Sequence, residues 1–298
     1  MNFKPSKILT GHAGAIYDVE LFDASRCLTT SADKFVARWN LKDGVQDKFS
    51  VRLNDSGFRI SLINNNQHLV IGNARGGIHI IDLENNKEIR YFTQHNSAVF
   101  SITYNPSDNV FYTADAEGYL CVWDATSFEL KLTYPLHCGK IRTIALSEDH
   151  KYIAVCGQDG YVRIFDTVFM NERFTFKAHE SGVNCAIFKG EKLYTGGKNA
   201  YISCWKWSDQ ERIKTIPAHN FAVYDLLFLN EGKQLVSCSF DKTIKVWETD
   251  SLEIIERLDL KKGGHKHVVN RLAKLTENSF LSVSDDRQII VWEQLNER

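Results

Sequence analysis

The sequence has no surplus of charge of either sign, no long apolar run and no paired-cysteine motif, and each absence removes a class of function. Lys and Arg number 36 against 37 Asp and Glu, a net charge of −1. Binding nucleic acid irrespective of sequence takes a basic surplus that displaces counterions, so only a local basic patch stays open for that role. No stretch reaches the roughly 18 apolar residues of a membrane helix, and no membrane contact is expected. The start, Met-Asn-Phe-Lys-Pro-Ser, has no apolar run behind a positive residue, so no secretory leader is expected. The seven cysteines, at 27, 121, 138, 156, 185, 204 and 238, are odd in number and include no Cys-x-x-Cys. Most lie in apolar strand-like runs, as Cys121 does in Tyr-Leu-Cys-Val-Trp. They read as free core thiols in a reducing cytoplasm, not as a disulfide framework or a zinc site. A phosphate-cradling Gly-rich loop is also missing, and neither metal nor cofactor is expected.

What the sequence does have is a repeat. Segments resembling Ser-Ala-Asp-Lys-Phe-Val-Ala-Arg-Trp-Asn end at Trp39-Asn40, Ile81-Asp82, Trp123-Asp124, Phe165-Asp166, Trp205-Lys206, Trp247-Glu248 and Trp292-Glu293. Successive spacings are 42, 42, 42, 40, 42 and 45 residues. A histidine precedes all but the second: His12, His95, His137, His179, His219 and His265, with Asn54 in the remaining place. Within each unit, short alternating runs such as Gln-Leu-Val-Ser-Cys-Ser and Thr-Ile-Lys-Val-Trp flank a tight turn at Phe240-Asp241-Lys242. Four such strands with their turns fill one period, the signature of a propeller blade.

Gly11-His12 with Trp39-Asn40, Ala178-His179 with Trp205-Lys206, and Ala218-His219 with Trp247-Glu248 resemble the Gly-His and Trp-Asp signatures of the WD40-repeat family over essentially the whole chain. The fold expected is an all-β, seven-bladed propeller with four antiparallel strands per blade, forming one domain over 1–298. The blades fall at 11–53, 54–93, 94–135, 136–177, 178–217, 218–262 and 263–298 plus 5–10. The resemblance implies that the N-terminal strand, Ser6-Lys7-Ile8-Leu9, completes the last blade, since a ring is free of strand edges only when it closes.

An aspartate six residues before the signature aromatic could pair with several of these histidines: Asp33, Asp159, Asp241 and Asp286. A nearby hydroxyl, Thr29 or Ser31, Ser237 or Ser239, Ser282 or Ser284, invites a catalytic reading. One chain has no need of several triads, and in the family such sets are structural networks. His12–Asp33–Trp39, His219–Asp241–Trp247 and His265–Asp286–Trp292 are therefore read as scaffolding. Unit three has Glu117 at the aspartate position and unit five Asn199, while unit four keeps Asp159 but has Phe165 for Trp and Gly157 for a hydroxyl. Unit two, with Arg75 there and Asn54 for the leading histidine, is expected to be the least rigid.

The resemblance places function at the narrow face, with two lining positions per blade. The first set is Tyr17, Arg59, Phe100, Arg142, Asn184, Tyr224 and Asn270; the second is Ala32, Ala74, Ala116, Gln158, Lys198, Phe240 and Asp285. Aromatic rings and arginines dominate binding energy at protein interfaces. Tyr17, Tyr224 and Phe240 suggest an apolar half, and Arg59, Arg142, Lys140 and Lys198 a basic one. The function expected is a non-catalytic scaffold or adaptor, monomeric on its own. It would bind a partner's peptide or loop within a multi-protein complex through Tyr17, Arg59, Phe100, Arg142, Lys198, Tyr224, Phe240 and Asn270. The alternatives are RNA or ribonucleoprotein binding, with bases stacked on the rings, and, further off, an enzyme or small-molecule binder using the channel.

Overall fold

Alternating apolar and polar residues put one face of each short segment in the core, and the segments form strands throughout. The computed structural model describes residues 2–295; Met1 and residues 296–298, which the domain assignment includes, lie outside them. The strands form seven four-stranded antiparallel sheets in chain order, the blades of a seven-bladed β-propeller. In the first blade the strands are Ile16–Asp23, Arg26–Ser31, Phe35–Asn40 and Val45–Arg52. The first strands of the next six are Gly57–Ile63, Val99–Asn105, Ile141–Leu146, Val183–Lys189, Val223–Leu229 and Val269–Thr276. A 3-10 turn at Leu260–Lys262 is the only helical element among the described residues, and no helix is long and apolar enough to cross a membrane. All seven cysteines are buried and free.

By its contacts the chain falls into two compact units, Met1–Ser56 with Ile216–Arg298, and Gly57–Thr215. The first holds the first, sixth and last blades. Its core gathers Phe3, Leu229, Val246, Phe280 and Trp292 in one cluster and Leu9, Ile16, Trp39 and Val291 in another. The second unit holds blades two to five, with clusters around Tyr112 and Phe165, around Phe111 and Trp123, and around Val162 and Trp205. A large side chain buried in this way contributes about 2–3 kcal/mol.

The last blade is completed by the N-terminal strand, which pairs antiparallel with Gln288–Leu295. It begins at Asn2, earlier than residue 5, because Phe3 is an anchor. Its ring is 1% exposed and meets Phe280 edge-on at 5.5 Å, and its N–H donates to the Glu256 carboxylate at 2.9 Å. The ladder shifts register between Pro5 and Lys7, where proline has no N–H to offer. Beyond the shift, the Lys7 ammonium donates to the Leu41 carbonyl at 2.9 Å. One strand thus ties the sixth, last and first blades together.

Candidate interaction face

Two backbone features recur in every blade and set where the side chains beside them are placed. The first is the turn between second and third strands. One residue there is left-handed in all seven: Lys34, Gly76, Gly118, Gly160, Ala200, Lys242 and Arg287. The residue before it is the aspartate position, and in five blades, at Asp33, Asp159, Asn199, Asp241 and Asp286, its carboxylate or amide closes the turn. Asp33 accepts from the N–H of Phe35, Asp241 from Thr243 and Asp286 from Gln288, all within 3.1 Å.

These turn carboxylates also hold the histidines. His12, His219 and His265 pair through Nδ1 with Asp33, Asp241 and Asp286 at 2.8, 3.0 and 2.9 Å. Through Nε2 they meet Thr29, Ser237 and Ser282, at 2.8, 2.8 and 2.7 Å. The same hydroxyls accept the indole N–H of Trp39, Trp247 and Trp292. Of each hydroxyl pair left open by the sequence, the earlier member joins the network, and Ser31, Ser239 and Ser284 cap the turn aspartate's own N–H. Every hydroxyl in a set is buried and engaged on two sides, so none is poised as a nucleophile.

The other blades depart from the sequence reading. In the third, Asp115 at the end of the second strand replaces Glu117. It pairs with His95 at 2.8 Å, and Thr113 and Trp123 complete a full set. Burial would lower the His95 pKa, but its bonds to Asp115 and Cys121 outweigh burial and hold it at about 9. In the fifth, Asn199 stands in for the carboxylate against His179 at 3.1 Å. Burial then prevails, and the His179 pKa falls to about 4. Gly197 is required here, since a Cβ would lie 2.1 Å from the Asn199 amide oxygen. In the fourth, His137 is exposed and buried Cys138 follows it, while Asp159 turns to Arg163 at 2.7 Å. The second blade has a substitute that the sequence reading missed. His79, on the third strand, meets Asn73 at 3.2 Å and Glu88 at 3.3 Å.

The second recurrent feature is a β-bulge near the start of each first strand, where the ladder skips one residue. A bulge re-aims the skipped side chain. The skipped residues are Tyr17, Phe58, Phe100, Arg142, Asn184, Tyr224 and Asn270. Six are the expected first set. The exception is the second blade, where the bulge falls on Phe58 and not Arg59. Arg59 points the other way, is only 6% exposed, and its Nε donates to the Phe100 carbonyl at 3.0 Å. With no histidine to anchor the alignment, the register slipped by one, and one residue inverts a strand side chain.

Within the first unit, Tyr224 packs on Phe240 at 6.2 Å, and Phe240 on Phe221 at 5.8 Å, both edge-to-face. Phe221 and Phe240 are nevertheless 59% and 47% exposed. Beside them in sequence order, the Asn270 amide bridges the Ile16 carbonyl and Asp285, each at 2.8 Å. Burial, then the Asp285 charge, raises the Tyr17 pKa. Within the second unit, Phe58 stacks on Phe100 at 5.3 Å, and Lys140 and Arg142 lie over the Phe100 ring at 4.7 and 5.2 Å. Lys198, in the second-to-third turn of the fifth blade, is exposed.

The sequence profile of the family described as WD domain, G-beta repeat matches residues 3–40, 86–124, 128–166, 170–206 and 210–248, more than half of the chain. The chain belongs to the WD40 family. Among WD40 relatives it is 26% identical over 221 residues to WD repeat-containing protein 1 of Xenopus tropicalis, which covers 57% of this chain and 36% of that protein. It is 23% identical over 235 residues to the WD repeat-containing protein 55 homolog of Dictyostelium discoideum, covering 64% of this chain and 57% of the other. The nuclear distribution protein nudF of Emericella nidulans shares 26% identity over 208 residues, 61% of this chain and 46% of that one. The matched region is thus between about a third and just over half of each relative's length.

Proposed function

We propose that this WD40 protein is a non-catalytic, single-domain scaffold that binds a peptide or loop of a partner protein at the strand ends carrying the bulges and the second-to-third turns. The observation that supports it most is the Phe221–Phe240–Tyr224 cluster. Large rings gathered at a solvent-facing turn, and left 59% and 47% exposed at Phe221 and Phe240, carry the composition of an interface hot spot. Tyr17, Asn270 and Asp285 extend that patch with hydrogen-bonding groups, and Phe100, Arg142 and Lys198 add a cationic one. The networks that resemble catalytic triads support scaffolding instead, because their hydroxyls are buried and fully engaged. The buried thiols are in keeping with a reducing, cytoplasmic setting. The second reading, an RNA or ribonucleoprotein contact, draws on the same cations.

The test is capture from lysate with the parent and a Tyr224→Ala, Phe240→Ala, Arg142→Ala variant of equal thermal stability, with and without nuclease. Proteins held by the parent, lost by the variant and indifferent to nuclease are the expected result. Equal capture by both proteins would refute the proposal, and loss on nuclease treatment would move it to ribonucleoprotein.

A further inference from the structure

The fourth strand of a blade lies beside the next blade, and one of its side chains decides what fills the seam between the two. In the third blade that residue is Leu132, paired with Val122, and in the fourth it is Phe174, paired with Ile164. Leu132 packs on the cluster around Tyr112 and Phe165, and Phe174 meets Trp207 of the fifth blade edge-on at 5.9 Å. In the second blade the same place falls to Arg90, paired with Ile80. Arg90 is exposed, and its guanidinium donates back to the neighbouring Ile89 carbonyl at 2.9 Å instead of entering the seam. A groove of about 450 Å³ stands open there, between the fourth strand of the second blade, Lys87–Phe92, and the third-to-fourth turn of the third blade.

The groove is lined by Arg90, Phe92, Trp123, Phe128, Glu129 and Leu130. Its floor is held by the chain itself. Phe92 leans on Trp123 at 5.0 Å, Trp123 stacks on Phe111 at 5.8 Å, and the Trp123 indole N–H donates to Thr113. Phe128, left-handed and 7% exposed, meets His68 edge-on at 5.3 Å. The Gln94 amide donates to the Thr133 hydroxyl at 3.3 Å and ties one wall to the other. On the rim, Leu130 is 38% exposed. Arg90 on one wall and Glu129 on the other are both exposed, and neither makes an ion pair among the described residues.

We propose that this groove docks an extended segment of a partner protein that carries a large apolar side chain between an acidic and a basic one. The apolar side chain covers Phe92, Trp123 and Leu130, the acid meets Arg90 and the base meets Glu129. Two unpaired charges of opposite sign select a ligand that brings both signs, since an anion alone meets repulsion from Glu129 and a cation alone from Arg90. The wall from Arg90 to Gln94 covers four residue steps, up to roughly 13 Å of extended chain, which suits a peptide segment better than a free amino acid. The groove lies at the strand ends opposite the bulges and the second-to-third turns, so it adds a second contact to the interaction face proposed above.

The experiment uses the full chain and immobilised peptide pools, degenerate except at three places. Two pools have a central phenylalanine or leucine, with glutamate two residues before it and lysine two residues after, or the reverse; alternate side chains of an extended peptide share one face. A third pool has serine at the centre. One of the two charge orders should retain about tenfold more protein than the other and than the serine pool. The double variant Arg90→Glu, Glu129→Arg, of unchanged melting, should invert the preferred order. Leu130→Asp, also of unchanged melting, should abolish retention. Equal retention of the two orders, no retention by any pool, or an order that the double variant leaves as it was overturns the inference, as does displacement of the bound protein by free phenylalanine. The interaction face is tested apart from it: Tyr224→Ala should bind the pools as the parent does, and failure of the pools while partner capture still depends on Tyr224 and Phe240 removes only the groove.

Discussion

Replacing Asp115 by Asn converts the third blade's network into the fifth's. In both, the histidine meets a threonine hydroxyl that also accepts a tryptophan N–H; Nδ1 has a carboxylate in one and an amide in the other, and Cys121 adds a further bond at His95. The two histidines titrate on opposite sides of neutrality, His95 at about 9 and His179 at about 4. A folded-state pKa near 9 against an ordinary 6.5 corresponds to about 2–3 kcal/mol at pH 7, at about 1.36 kcal/mol per pKa unit. That contribution is fully present below about pH 6.5 and is lost as pH rises through about 9. In Asp115→Asn, His95 should behave as His179 does and cost stability as pH falls from about 6.5 through about 4. Urea unfolding at several pH values reads both limbs, with the ring protons of His95 followed by NMR. The expected result is a loss of about 2–3 kcal/mol at pH 7 that narrows above pH 9. An unchanged midpoint at pH 7, or a parent His95 titrating below about 6.5, would refute the reasoning.

Three further outcomes are expected. Arg271 joins Asp18 at 3.2 Å and Asp225 at 3.0 Å, so Arg271→Ala leaves two carboxylates short of a cation. It should cost about 3 kcal/mol in denaturant unfolding, with partial recovery when Asp18→Asn is added. Phe3→Ala empties the anchor of the closing strand and should cost about 3 kcal/mol; removing residues 1–10 should lower and broaden melting, and a truncation that melts like the parent contradicts the closure. Hydrogen exchange should find the amides of Gly57–Ile63 less protected than those of Val223–Leu229, because no tryptophan or turn histidine ties the second blade.

The period of the repeat was enough to number the blades, because a blade is a local unit whose alternation and turn residues are written in consecutive positions. Six of the seven bulge residues followed from counting onward from a histidine. The misses share a cause. Where the histidine is absent, a one-residue shortening of the turn went unseen, and Arg59 was taken for Phe58. Counting back from Trp123 led to Glu117, although the bonding carboxylate is Asp115, at the place that holds Ser31, Ser239 or Ser284 in complete blades. An acid at that serine place was the available signal. His79 was not legible in advance, since it reaches its network from the third strand and no spacing rule connects it to Asn73. His137 had the right position but not the right partners: Val155 stands where the complete blades have the network hydroxyl, and Asp159 is held by Arg163. The exposure of Phe221 was likewise hidden, because a phenylalanine after a Gly-His-type turn reads equally well as core.

The central claim is that a partner binds through the bulge residues and the adjacent turns. Side-chain footprinting by hydroxyl radicals, on the free protein and on the captured complex, measures this directly. The account predicts protection of Tyr17, Phe221, Tyr224 and Phe240, with Val168 and Phe169, exposed at 70% and 75% in a different turn, reacting as before. Protection of Val168 and Phe169 with undiminished reactivity at Phe221 and Phe240 would contradict it.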